Sequence, residues 1–315
     1  MRDVLILGSG VSGLSCGILL LKDGYKVTIW AKEFPPHTTS DVAAAFWYPY
    51  LCNPHDKATV WAGNTLHYLR QHALIDGESG CETRSITELF DHPVGDPWWA
   101  NAVEEWHRPR PSELPPNYVD GYQTQAIVMD SSKYMGWLLT QYESLGGRRE
   151  HHEVSDIREA FASHDIVVNC TGLGSRRLFN DTRLYPIRGQ VVKIKPNGFD
   201  QIIADDIGPN SLAVVIPRIN DTVLGGTAQA NNWNLEIDPQ DTRDILRKAA
   251  LLSPRFHHVE VIGESVGLRP ARDAVRLELE KYGENVVVHN YGHGGSGYTL
   301  SWGCAQDVLG LIKEL

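Results

Sequence analysis

The sequence predicts an α/β protein. A discontinuous, doubly wound parallel-sheet domain is interleaved with a second domain built on a mixed, largely antiparallel sheet. Three observations predict the first domain. Val4-Leu5-Ile6-Leu7 runs without a spacer into Gly8-Ser9-Gly10-Val11-Ser12-Gly13, and then into helically spaced apolar residues from Leu14 to Lys22. A second strand, Lys26 to Trp30, follows after that one helix. A third apolar stretch, Asp165 to Asn169, ends in the small turn Cys170-Thr171-Gly172. Continuous apolar runs of this length suit strands buried on both faces, as in a parallel sheet.

The first turn spells G-x-G-x-x-G. Gly8 lets the chain turn, Gly10 lets backbone approach a pyrophosphate, and Gly13 lets helix pack on strand. The helix start at Val11 and Ser12 adds free N–H groups and partial positive charge. Strand, glycine turn, helix and strand in that order read as a Rossmann-type dinucleotide site. A ribose-holding acid is expected at the end of the second strand. That end reads Ala31-Lys32-Glu33, so Glu33 serves one or two residues late. Lys32 either meets a phosphate or is solvated.

Further along, Pro35 to Asp41 is a polar loop carrying Thr38, Thr39 and Ser40. It leads into Val42-Ala43-Ala44-Ala45-Phe46-Trp47-Tyr48-Pro49-Tyr50. Two readings of this run stand: small residues passing a flat ring before an aromatic pocket wall, or a capped helix start with core aromatics. Ala58 to Gln71 has helical spacing. Residues 76–120 read as irregular and proline-rich. Gln125 to Met129 is a strand, and Tyr134 to Leu145 a helix stopped by Gly146-Gly147. His151 and His152 are adjacent, so on a strand they face opposite ways and do not chelate one metal ion. No metal site is expected.

Arg188-Gly189-Gln190 leads into the strand Val191 to Ile194. Two further strands, Leu212 to Pro217 and Thr222 to Gly226, are joined by a turn, and a helix covers Thr242 to Leu252. Arg269 sits in the otherwise apolar Val266 to Ala271. It is either a clamp for a carboxylate or half of a surface ion pair. Asn285 to His289 is a strand. It is followed by Gly292, Gly294, Gly295 and Gly297, and then by the helix Leu300 to Leu311, a second helix start that lets a phosphate or ring come close.

Composition narrows the partners. The 315 residues carry 29 Lys+Arg against 39 Asp+Glu, a formal charge of −10, which disfavours nucleic acid and anionic lipid. Five scattered cysteines without C-x-x-C spacing imply a reducing compartment. No apolar run spans a bilayer. The glycine turn begins at residue 8, so no removable leader is expected ahead of it. The expected location is cytoplasmic, with a peroxisomal one as the alternative in a eukaryote. Lys313-Glu314-Leu315 is a poor match to the peroxisomal address.

Over nearly its whole length the chain resembles the D-amino acid oxidase family of flavoproteins, which includes D-aspartate oxidases. The residues that carry the resemblance are Asp41 to Tyr50, Val168-Asn169-Cys170-Thr171-Gly172, Arg188-Gly189-Gln190, Gly267-Leu268-Arg269-Pro270 with Arg276-Leu277-Glu278, and His289 to Gly295. The resemblance implies an FAD oxidase of D-amino acids. Hydride passes from Cα to flavin N5, the imino acid hydrolyses to a 2-oxo acid and ammonia, and O2 becomes hydrogen peroxide. No side chain is needed as acid or base.

On this resemblance Arg269 binds the substrate carboxylate and the Gly295 carbonyl accepts from the amine. Thr38, Thr39 and Ser40 lie on the FAD phosphates, and Ala44, Ala45 and Phe46 beside the isoalloxazine. Val154 meets the adenine half. Ala31, Lys32, Thr171, Gly172, His293, Gly294, Ser296, Gly297, Tyr298 and Thr299 complete the cofactor set, with His293 shaping its loop. The FAD domain would comprise residues 1–45, 131–182 and 263–315. The substrate domain would comprise 46–130 and 183–262. A homodimer is the family-level expectation.

The departures bear on substrate. Val214 stands where the family carries a tyrosine whose hydroxyl helps hold the carboxylate. Pro209-Asn210-Ser211 replaces a second, lid-type tyrosine. Tyr48 replaces a glutamine common in animal members. Tyr48 or Tyr50 is the expected substitute donor. Losing one hydrogen bond to a charged group costs roughly 1.5–3 kcal/mol, enough to raise KM. Alternatives are an oxidase of D-aspartate or D-glutamate, which needs a second cation such as Arg218, a glycine or sarcosine oxidase, a flavoprotein dehydrogenase, and a nicotinamide-binding module.

Overall fold

The computed structural model describes residues 2–315. The continuous apolar runs form strands with almost no exposure: β1 (Asp3–Leu7) buries Val4, Leu5, Ile6 and Leu7 completely or nearly so. The remaining strands are β2 (Lys26–Ala31), β3 (Cys81–Phe90), β4 (Trp106–His107), β5 (Asp120–Met129), β6 (Arg148–His151), β7 (Ile166–Asn169), β8 (Tyr185–Ile194), β9 (Ile202–Asp205), β10 (Ala213–Pro217), β11 (Thr222–Gly225), β12 (Gln229–Ala230), β13 (Val261–Tyr282) and β14 (Asn285–His293). The helices are α1 (Val11–Lys22), α2 (His55–Tyr68), α3 (Ser131–Ser144), α4 (Ile157–Phe161), α5 (Ser175–Leu178), α6 (Pro239–Leu252) and α7 (Gly297–Lys313).

All fourteen strands join one sheet with two characters. The run β14-β7-β1-β2-β6 is parallel throughout. The strand order reverses beside β1, so the C-terminal ends of β1, β2 and β7 open a crevice at a topological switch point, where α/β sheets bind ligands. The run β4-β5-β3-β9-β10-β11-β8-β13 is antiparallel except between β3 and β9, and β12 pairs with β8. This is the expected mixed second sheet.

β13 sews the two halves together. Val261 to Ala271 pair with β8, and Arg276 to Tyr282 pair with β14, with a register break between Ala271 and Arg276. The expected domain edge at 262/263 therefore lies within one continuous strand, and the sheet changes partner two residues after Arg269. A second seam runs through the aromatic loop: the Trp47 N–H donates to Ile127 O (2.7 Å) and the Met129 N–H to Ala45 O (2.9 Å). α7 is anchored beneath it by Trp302, stacked on Tyr68 at 3.6 Å and donating to the Tyr134 hydroxyl (2.8 Å). Burying a side chain of this size contributes roughly 1.5–3 kcal/mol.

One expectation fails clearly. Residues 76–120 were expected to be irregular, yet β3 is ten residues long and pairs along its full length with β5. Its apolar signal is masked by Glu82, Thr83, Arg84, Thr87 and Glu88. Thr87, Glu82 and Glu88 find polar partners: Gln123 Nε2 donates to Thr87 Oγ1 at 3.2 Å, Arg84 pairs with Glu82, and the Tyr48 hydroxyl donates to Glu88. The helix expected over Ala58 to Gln71 begins earlier, at His55, and continues as a wider turn over Leu69–Ala73.

Candidate active site

A cavity of about 790 Å³ crosses the junction of the two half-sheets, near the upper end of the size usual for ligand sites. At one end its wall is the first glycine turn. Gly8 has φ +103°, and a Cβ there would stand 2.5 Å from Cys170 O, so only glycine fits. A Cβ on Gly13 would stand 2.0 Å from Gly8 O. Gly13 thus serves helix packing and does not itself line the cavity. Gly10 is the N-cap of α1 and has no side chain to cap it; Ser40 Oγ accepts from the Val11 N–H at 3.1 Å.

The hydroxyl loop folds over this turn. Asp41 Oδ2 accepts from both Thr38 Oγ1 (2.6 Å) and Thr38 N (2.8 Å), and the Tyr298 hydroxyl donates to Ser40 O (2.7 Å). Ala31, Glu33, His37, Val154, Thr171 and Gly172 continue the wall. Lys32 lines it too, paired at 3.7 Å with Glu153 in an exposed contact.

The middle of the cavity carries backbone strain. Three of the positive-φ non-glycine residues are asparagines, which tolerate that region. The other three, Ala45 (φ 54°), Leu51 (φ 35°) and Leu212 (φ 68°), all line the cavity. Such conformations cost on the order of 1–3 kcal/mol each and concentrate at functional sites. Ala44, Ala45 and Phe46 pass here, facing Gly294, Gly295, Gly297 and Tyr298 from the start of α7, which again has no side-chain cap. Ser296 and Thr299 lie outside the wall. The Ser296 hydroxyl donates to Tyr50 O. Thr299 Oγ1 donates to Tyr48 O (2.9 Å) and accepts from Tyr48 N (3.2 Å). They tie the aromatic loop to α7.

At the far end stands Arg269, mostly buried. Nη1 donates to Thr227 O at 2.9 Å, and the guanidinium makes no ion pair among the described residues. It lies flat over Gly189, where a Cβ would come within 2.3–2.5 Å of it. Burial lowers its pKa, but a guanidinium remains charged. Gly295 packs between this side chain and the Tyr50 ring: a Cβ there would meet Tyr50 Cδ1 at 3.4 Å and Arg269 Cδ at 3.7 Å. Arg269, Gly295, Tyr50 and Val214 thus come together in one cavity.

Tyr48 lines the cavity, but its hydroxyl donates to Glu88 Oε2. The Tyr50 hydroxyl makes no hydrogen bond within the described protein and is pushed up to about 12, by burial and then by Asp206. Arg218 is not in the wall; its guanidinium is held by both oxygens of Asp221 at 2.6 Å. His293 is buried, bonded through Nε2 to Asn290 Oδ1 (3.0 Å), and pushed down to about 4 by burial, so it is neutral at physiological pH. His152 packs against Trp30 and bonds Glu159, while His151 packs against Phe34.

Sequence reading missed Gly189 as the bed for Arg269, Thr227 as its backbone acceptor, and the acids Glu88 and Asp206. Only Gly189 left a signal, as the centre of Arg188-Gly189-Gln190. Its neighbour Arg188 is structural, pinning the 229–241 segment through Asn234 O, Glu236 O and Asp241.

The wall fits a flavin dinucleotide. Gly10 and the bare start of α1 offer close backbone and N–H groups to phosphates. A second bare helix start meets the strained Ala45 backbone where a ring would pass. Two such starts and an uncompensated guanidinium meet in one cavity, the arrangement of a dinucleotide-dependent enzyme. The model of the FAD dependent oxidoreductase family matches residues 3–310. The D-amino-acid oxidase of Dictyostelium discoideum is 49% identical over 99% of this chain and 92% of its own length. The human D-aspartate oxidase is 34% identical over 99% of this chain and 94% of its own. Glycine oxidase from Bacillus cereus shares the fold, with a TM-score of 0.83 at 19% identity over 100% of this chain and 95% of that one. The chain belongs to the FAD dependent oxidoreductase family, among the D-amino-acid and D-aspartate oxidases.

Proposed function

We propose that this protein is an FAD-dependent D-amino-acid oxidase, converting its substrate to a 2-oxo acid and ammonia with O2 as the acceptor. The observation that carries this reading is Arg269: a mostly buried cation with no carboxylate partner, facing a cavity whose other end fits a dinucleotide. The D-enantiomer is taken from the relatives' named activity. FAD, when bound, supplies a two-electron acceptor for the hydrogen leaving Cα as hydride. It would be held by Gly8, Gly10, Val11, Ser12, Thr39, Ser40, Val154, Thr171, Gly172 and the Ala44 to Phe46 backbone.

The protein's part is positioning. Arg269 binds the substrate carboxylate through the N–H groups that Thr227 leaves free. Tyr50, with its hydroxyl unspent, donates the second bond that the tyrosine at position 214 makes elsewhere in the family. The Gly295 carbonyl accepts from the neutral amine. His293, neutral and bonded to Asn290, holds the glycine loop and transfers no proton.

The acidic-substrate reading lacks its second cation, because Arg218 is spent on Asp221 outside the cavity. In its place the wall carries Asp206. The five cysteines are all free thiols, which supports a reducing, cytoplasmic setting. A homodimer is part of this reading, and sedimentation tests it. Anaerobic mixing of the yellow holoenzyme with single D-amino acids tests the activity. Bleaching by D- but not L-amino acids, followed by recolouring with peroxide formation on admitting O2, is expected. A flavin that stays oxidised with every D-amino acid overturns the reading. Bleaching without reoxidation by O2 assigns a dehydrogenase.

A further inference from the structure

The floor of the substrate end is a row of directly opposed residues running across five strands. Glu88 on β3 is in register with Ala204 on β9, then Val214 on β10, Gly225 on β11 and Val191 on β8. Directly paired residues face the same side of a sheet, and the last four all line the cavity. Glu88 therefore shares their face. Asp206, two residues beyond Ala204, also lines the cavity. The floor between is made of small side chains, and a Cβ on Gly225 would stand 2.6 Å from Val214 Cγ1. Val214, in place of a tyrosine, leaves the path across it open.

The two sides of this floor carry opposite charges. Arg269 rises from β13 and folds back over Gly189 of β8. Asp206 and Glu88 stand on the far side, beyond β11 and β10. From β8, over which the guanidinium lies, to β9 is three strand spacings, roughly 14 Å at 4.8 Å each.

The three acids there are not equivalent. Asp205 accepts from the Tyr118 hydroxyl (2.5 Å), Gly208 N (2.6 Å) and Asn210 N (2.8 Å). Glu88 accepts from Tyr48. The Asp206 carboxylate makes no hydrogen bond among the described residues, though it is mostly buried and open to the cavity. Burial and Asp205 push it up to about 6, and burial and Asp206 push Glu88 up to about 7. Unsatisfied buried carboxylates are costly. A cation held there by the substrate would relieve both.

We propose that this site selects D-amino acids whose side chain ends in a cation, an ammonium or guanidinium on a flexible aliphatic stem, with Asp206 as its acceptor and Glu88 behind it. The proposal rests on the oxidase reading. A stem the length of that in lysine or arginine bridges from the Arg269-bound carboxylate to Asp206; that of aspartate does not, and brings the wrong charge.

The test compares D-lysine and D-arginine with D-norleucine, which has the stem and no charge, on the holoenzyme at pH 8. A kcat/KM at least tenfold higher for D-lysine than for D-norleucine is expected. Asp206→Asn should bring that ratio close to one, while Asp206→Glu keeps most of it. A binding readout stands beside the rates. 6-Aminohexanoate has the carboxylate and the distal ammonium but no α-amine to oxidise. Calorimetry should show it binding at least tenfold tighter than hexanoate to the wild type, with the advantage lost in Asp206→Asn.

If D-norleucine bleaches the flavin as well as D-lysine or better, the selectivity is wrong and the oxidase reading stands. If no D-amino acid bleaches it, the oxidase reading fails, and the 6-aminohexanoate comparison decides the charge assignment by itself. Equal binding of 6-aminohexanoate and hexanoate to the wild type overturns it.

Discussion

The two ends of the cavity are built from different material. The nucleotide end is backbone: Gly8, Gly10, a bare helix start and a hydroxyl loop, most of it within forty residues of chain. The substrate end is side chain. Arg269, Tyr50, Val214, Asp206 and Glu88 come from five separate segments, and three of them are held by residues from elsewhere: Gly189 and Thr227 under Arg269, Ser296 behind Tyr50, Tyr48 on Glu88. Backbone sites tolerate little substitution where a Cβ would strike backbone, as at Gly8 and Gly13. Side-chain sites are specified one contact at a time, so specificity is adjusted there.

If that contrast holds, damage at the first end removes the cofactor and damage at the second spares it. The largest effect is expected for Gly13→Val. Its Cβ falls 2.0 Å from Gly8 O, an overpacking that costs about 3 kcal/mol, and the protein should purify colourless with a lowered Tm. Arg269→Leu comes next. Loss of a buried charged partner for the carboxylate is worth about 3–5 kcal/mol, so kcat/KM should fall on the order of 10³-fold while the flavin spectrum persists. A colourless Arg269→Leu would break the contrast, since it would make Arg269 part of the cofactor cradle as well.

Gly189→Ala pushes the guanidinium off its bed without removing it. A displacement near 1 Å can cost about 10²-fold, so kcat/KM should drop by about that much with FAD occupancy unchanged. Tyr50→Phe removes one hydroxyl bond to a charged group, about 1.5–3 kcal/mol at most. KM should rise about tenfold with kcat nearly unchanged. An unaltered KM would leave the carboxylate to Arg269 alone.

The smallest effect is on stability. Asp206 and Glu88 have folded pKa values raised to about 6 and about 7. The folded state therefore binds more protons than the unfolded state above pH 4. Their contribution to stability is greatest in acid and falls as pH rises through those values. Asp206→Asn should raise Tm at pH 8 more than at pH 5, measured without substrate. An equal change at both pH values would show that the carboxylate is already relieved in the free protein.

The same contrast explains what could be read beforehand. The glycine turn, the parallel strands and the start of α7 were legible because each is a contiguous run whose period and composition declare it. Arg269 was legible as a charge in an apolar stretch. β3 was not, because polar residues held by contacts within the strand, across it and from the aromatic loop interrupt its apolar positions, so it never shows a clean alternation. Tyr48 and Tyr50 were indistinguishable in sequence. Glu88 on β3 takes the hydroxyl of one and leaves the other facing Arg269.

The sequence by itself determined the dinucleotide end, since phosphate recognition there needs only N–H groups and the absence of Cβ atoms at fixed spacing. The tertiary structure alone decided the charge pattern of the substrate end. Which carboxylate stays unpaired depends on which strand lies beside which. That order, β3-β9-β10-β11-β8-β13, is set by packing of the whole sheet and is written in no local stretch of the chain.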